Sequence, residues 1–162
     1  MLDIKFIREN PDIVKENIRK KFQEAKLPLV DEVIALDAQR RAAISEVEQL
    51  KADRNRLSKA NGPLYGKLKK CADEAEKAAI QAEIDRNNAA VKADDERRTE
   101  LDARQTELEG KIRDILYVIP NIIDPSVPIG PDDSCNVEVQ RFGDPVVPDY
   151  PIPHHVDIMQ SF

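Results

Sequence analysis

Apolar residues fall on a long, thin stripe between residues 80 and 119. Alternating steps of four and three visit Ile80, Ile84, Asn87, Val91, Asp94, Arg98, Leu101, Gln105, Leu108, Ile112, Ile115 and Ile119. Eight of these twelve stops are Ile, Val or Leu, which makes one seam along an α-helix, too narrow for a globular core. No proline interrupts the run, and Gly110 alone costs a helix about 1 kcal/mol. Residues 29–61 carry a matching seam at Val33, Leu36, Arg40, Ala43, Val47, Leu50, Arg54 and Leu57, with Ile44 beside it. A helix with a single apolar seam needs a partner in water. Two such seams joined by a short connection predict an antiparallel hairpin within one chain. The turn falls between residues 62 and 73, where Gly62-Pro63 and Gly66 lie. Arms of roughly 40 residues would reach about 60 Å.

Ahead of this hairpin, Ile4, Ile7, Ile13, Val14, Ile18 and Phe22 recur at helical spacing. They predict one or two short helices that pack on the hairpin's base. Asn10-Pro11 reads as a helix start, with Asn capping free amides and Pro at the first helical position. Lys26-Leu27-Pro28 reads as a linker, because a residue before proline disfavours helix. Pro120 ends the last long helix, and residues 117–162 hold eight of the eleven prolines. That tail is expected to be extended and irregular, with residues 136–142 the one strand candidate. The predicted fold is therefore all-α: a long antiparallel two-stranded coiled-coil hairpin, a short N-terminal helical segment packed at its base, and an extended Pro-rich C-terminal tail. Two domains are expected, 1–119 and 120–162.

Composition agrees with long solvated helices. Charged residues make up 35% of the 162 residues and aromatics 4%, a poor recipe for a thick core. The formal net charge of −6 hides an asymmetry. Residues 51–71 carry seven bases, Lys51, Arg54, Arg56, Lys59, Lys67, Lys69 and Lys70, against the single acid Asp53. This local +6 leaves −12 on the rest of the chain. Such a stretch at a hairpin end suits phosphate contact, since Lys and Arg neutralise phosphates without reading sequence. The plainer alternative is a solvated helical surface that happens to be basic. Arg40, Arg54 and Arg98 sit on the seams and read as partners for acids across the hairpin or as polar seam residues that fix its register, Arg54 less firmly because it lies inside the basic stretch.

Little else carries chemistry. Cys71 and Cys135 form no spaced pair and read as unpaired thiols of a reducing compartment. His154 and His155 are the only histidines; adjacent on a strand or loop they point apart and make a poor metal pair. Phosphate loops, nucleophile elbows and metalloprotease helices are absent from the sequence, so no catalytic residue is assigned. The N-terminus is charged from its third residue, and no apolar run approaches the ~20 residues of a membrane span. The expectation is a cytoplasmic protein.

The opening MLDIKFIRENPDIVKENIRKK, the segment VDEVIALDAQRRAAISEVEQLKADRNRLSK, and then IPNIIDPSVPIG, DDSCNVEVQRFGDP and HHVDI resemble the N-terminal region of bacterial-type seryl-tRNA synthetases. The order and spacing match along nearly the whole chain. The resemblance implies an arm that holds the long variable arm and elbow of serine tRNA, reaching across a homodimer to the other subunit's tRNA. It implies a class II catalytic domain, absent from these residues, that starts near His155-Val156-Asp157 and attaches serine using ATP and Mg²⁺. This chain itself is expected to hold no cofactor or metal, to bind tRNA partially and not to aminoacylate. No membrane and no DNA partner is implied. The expected tRNA-binding residues, taken from charge, are Arg54, Arg56, Lys59, Lys67, Lys69 and Lys70.

Two rival classes share the hairpin. A coiled-coil scaffold or oligomerisation module would lack RNA binding. A jaw-like chaperone of the prefoldin type would place β-hairpins between the helices, for which residues 62–73 are too short and too Lys-rich. The charge asymmetry and the IPN and NVEV segments favour the synthetase reading over both.

Overall fold

A computed structural model describes residues 1–144 and 146–161. The order is α1 (Ile4–Glu9), α2 (Pro11–Lys20), a single 3₁₀ turn (Glu24–Lys26), α3 (Leu27–Lys70), α4 (Glu74–Val118), a second 3₁₀ turn (Asp133–Cys135) and α5 (His155–Gln160). Helices α3 and α4, of 44 and 45 residues, lie antiparallel and zip along their seams. At 1.5 Å per residue the arm is about 66 Å long. The fold class read from the sequence is the one observed. Phe162 lies outside the described residues.

The core has two parts. At the base, Ile7, Val14 and Ile18 from the short helices meet Val30 and Val33 of α3 and Ile112, Leu116 and Ile119 at the far end of the chain's return. Along the arm, Ala43 and Val47 pack on Leu101, with Leu50 alongside. Ile80 and Ile84 continue the buried line outward. The pattern that predicts the seam also builds it.

Several local expectations need correcting. Helix α3 does not stop near Asn61 but runs through Gly62, Pro63 and Gly66 to Lys70. Pro63 cannot donate to the Lys59 carbonyl, and each glycine adds about 1 kcal/mol. The four–three seam nevertheless continues through Asn61, Leu64 and Leu68, and packing on α4 outweighs these local costs. Lys26-Leu27-Pro28 is no linker, because α3 starts at Leu27 with Pro28 in its first turn, where a missing amide removes no helical bond. Asn10 does stand before Pro11, but its side chain does not cap α2; its Nδ2 donates to the Phe6 carbonyl at 3.2 Å and finishes α1. Residues 136–142 form no strand: Val139 and Phe142 stand 94% and 99% exposed, and no neighbouring strand exists to pair with among the described residues. His154 and His155 do not point apart. The chain turns helical there, their ring centroids sit 4.1 Å apart, and His154 Nδ1 accepts from the Val156 amide at 3.4 Å.

Phe22 takes a left-handed conformation, φ 54°, at the end of α2. Its amide donates to the Arg19 carbonyl at 2.9 Å and the Gln23 amide to the Ile18 carbonyl at 3.1 Å. This is a Schellman closure with a bulky residue where glycine is usual, at a cost of about 1–2 kcal/mol. It turns the chain sharply enough to lay α3 against α2.

Candidate nucleic-acid interface

The hairpin turn is three residues, Cys71 to Asp73. Lys67, Lys69 and Lys70 occupy the last turn of α3, while Glu74 and Glu76 open α4 behind the Asp73 cap, whose carboxylate accepts from the Ala75 amide at 3.1 Å. Both ends thus complement their helix dipoles. Cys71 and Cys135 are free. The Cys71 thiol donates to Glu76 at 3.2 Å, which, with some burial, keeps its pKa above the ordinary thiol value.

The six candidate cations are all exposed on the outer half of α3. They divide by partner. Arg54 reaches across the seam to Asp95 at 3.3 Å, and Arg56 pairs with Asp53 of its own helix at 3.0 Å. Lys59, Lys67, Lys69 and Lys70 have no ion-pair partner among the described residues.

Rigidity comes from polar ties that cross the hairpin. Arg40 meets Glu109 at 3.9 Å, Arg97 meets Glu46 at 2.8 Å, and Arg104 donates to Gln39 at 3.1 Å. Arg40 and Arg54 therefore pair across the seam as the sequence indicates. Arg98 does not: it reaches Asp95 of its own helix at 3.6 Å. Farther out, the buried Asn61 donates to Asn88 at 2.9 Å and accepts from Asn87 at 2.8 Å. A polar residue in a seam fixes register, because any slip strands it without partners.

Sequence reasoning missed the device that seats the arm on its base. Asp37 is fully buried and receives Arg8 of α1 at 2.8 Å, Arg40 at 2.9 Å and Arg41 at 3.0 Å. Burial pushes its pKa up, but the hydrogen bonds from Arg40, Arg8 and Arg41 win and hold it below the usual carboxylate value. The signal was present as an acid followed by Arg at the third and fourth positions, yet nothing in the sequence pointed to Arg8, 29 residues away. Among the described residues no group of His, Cys, Asp or Glu is placed to hold a metal ion, and no helix is long and apolar enough to cross a membrane.

A two-helix arm with a cationic outer half, seated on a small helical base, defines a class of appended coiled-coil module. The family model described as the seryl-tRNA synthetase N-terminal domain matches residues 1–123. The chain belongs to that family. It is 39% identical over 158 residues to a serine–tRNA ligase of Symbiobacterium thermophilum, covering 98% of this chain and 34% of that protein. It is 40% identical over 161 residues to a serine–tRNA ligase of Thermomicrobium roseum, covering 99% and 32%. A crystal structure of seryl-tRNA synthetase from Pyrococcus horikoshii complexed with ATP superposes with a TM-score of 0.70 at 34% identity, over 88% of this chain and 29% of that one. The chain thus spans about a third of the length of the curated relatives it matches.

Proposed function

We propose that this chain is the tRNA-binding arm of a cytoplasmic serine–tRNA ligase. Residues 1–119 form the base and arm, and residues 120–162 lead into a class II catalytic domain. In the whole enzyme, a homodimer, that domain attaches serine with ATP and Mg²⁺. The donors present here fit neither: no metal group exists among the described residues, and no glycine-rich phosphate loop precedes a helix. This chain's own work, in this reading, is binding and positioning. A stiff rod with cations at its outer end, Arg54, Arg56, Lys59, Lys67, Lys69 and Lys70, lies against the backbone of the long variable stem and elbow of serine tRNA. Recognition is by shape, as is common for RNA helices, because a rod of fixed length fits a long stem and misses a short one. The observation that carries this reading is the +6 stretch on the outer half of α3 in a chain of this family. A bare oligomerisation module is less well supported, since α3 and α4 already cover each other's seams.

Replacing Lys67, Lys69 and Lys70 with Glu should weaken binding of serine tRNA at least about tenfold and flatten its salt dependence, as lost phosphate contacts do. Filter binding or fluorescence anisotropy across a salt series measures both. Unchanged affinity together with an unchanged slope rejects the outer arm as the contact surface.

A further inference from the structure

Within the reading that the arm binds RNA, the charges on its two helices differ in sign at the same height. Residues 51–70 of α3 carry seven bases against one acid, net +6. Residues 73–98, which run back alongside them, carry eight acids against five bases, net −3. Four of those five bases are already tied to an acid of their own helix: Lys77 to Glu74, Lys92 to Glu96, Arg97 to Glu100 and Arg98 to Asp95. The face of α4 opposite its seam presents Ala75, Ala78, Ala82 and Ala89, all exposed, interspersed with Asp85 and Glu96. The fifth base, Arg86, is exposed at the edge of this face and is its one cation without an ion-pair partner among the described residues.

We propose that the arm is one-sided: RNA backbone lies along the outward face of α3, on Arg56, Lys59, Lys67 and Lys70, and α4 is turned away from it. At 100° per residue these four side chains fall within an arc of about 80°, centred about 120° round from the seam of Leu57, Leu64 and Leu68. They form two pairs, Arg56 with Lys59 and Lys67 with Lys70, about 16 Å apart along the axis. The track is bounded towards the base by Glu48, which lies on the same face and is 3.7 Å from Lys51. Two of the six basic candidates leave the track. Lys69 lies about a third of a turn from the track's centre, on the other flank of the seam, and Arg54 flanks the seam as a strut to Asp95. Helix-dipole complementarity accounts for Lys67 and Lys70, which lie in the last turn of α3. It does not reach Arg56 and Lys59, some three turns farther in. A cationic track there has no partner within the arm beyond the Arg56–Asp53 pair.

Three variants separate the faces. Lys59→Gln with Lys67→Gln and Lys70→Gln removes the track; Arg86→Gln removes the unpaired cation of α4; Ala82→Glu with Ala89→Glu charges the back of α4. Circular dichroism first establishes that helicity is retained. Serine-tRNA affinity, measured against salt, should fall about tenfold for the track variant, and its salt slope should drop by two to three. The other two should stay within about twofold of the parent. A loss as large as the track's from Arg86→Gln or from the charged α4 variant overturns one-sidedness while leaving the RNA-binding arm intact. If the parent chain shows no salt-dependent serine-tRNA binding, the arm reading itself fails and this inference with it. If the track variant loses binding to polyglutamate but not to tRNA, the face serves an acidic protein surface and the inference is wrong.

Discussion

Replacing Asp37 with Ala should lower stability by about 3 kcal/mol, near the bottom of the range for breaking a buried ion pair. The carboxylate is wholly buried and is, among the described residues, the one acceptor shared by Arg8, Arg40 and Arg41. Without it the three guanidiniums lose their common partner. They are 26–51% exposed and regain water, which keeps the loss from being larger. The local consequence is sharper than the global one. Arg8 is the only one of the three on α1, so amides of residues 4–9 should exchange faster while those of the outer arm do not change. The effect depends on pH with a definite sign. The folded pKa lies below the ordinary aspartate value, so the contribution is complete above that ordinary value and is lost as pH falls through the lower folded pKa. Denaturant melts of the parent and the variant should therefore converge in strong acid and differ most near neutrality. A constant gap across pH would mean that the charge is not what Asp37 contributes.

Asn17→Ala should cost about 2 kcal/mol, through two lost hydrogen bonds and an amide left without its partner. Asn17 is 4% exposed and grips the chain just beyond α4: its Nδ2 donates to the Asn121 carbonyl at 3.1 Å and its Oδ1 accepts from the Ile123 amide at 2.8 Å. Lys21 donates to the same Asn121 carbonyl at 2.6 Å, and Lys26 to the Val118 carbonyl at 3.0 Å. Together they clamp the exit of α4 against α2. The variant should speed amide exchange at Ile123 while leaving Val47 and Leu101 protected. Asn17→Asp retains the acceptor but sets a carboxylate beside the Asn121 carbonyl, so it should fall between parent and Ala. Equal exchange at Ile123 in all three proteins would show that the lysines alone hold the segment.

Periodicity carried most of the fold. A four–three alternation is a statement about geometry, and it names the buried line from Val33 and Ala43 to Leu101 and Ile112 before any coordinate is known. Local punctuation misled where packing overrode it: Pro63 between two glycines looked like a helix end, yet Leu64 and Leu68 on the seam carry the helix nine residues past Asn61. Residues 136–142 alternate like a strand, but alternation supplies no partner. The polar ties were the least legible. Arg8 to Asp37 spans 29 residues and Asn17 to Asn121 spans 104, and no local pattern encodes a contact at such separation. For the candidate interface, the sequence marked the basic stretch as a whole. Only the helix and its partner's charges distinguish the outward cations from Arg54, which lies at the seam as a strut.

The most direct measurement compares the affinity of this chain for serine tRNA with its affinity for the same tRNA carrying a shortened variable stem, at one salt concentration. A rod that reads length and backbone should bind the intact tRNA about tenfold more tightly, since the shortened stem takes phosphates out of the arm's reach. Equal affinities would contradict shape reading of the variable stem by the arm.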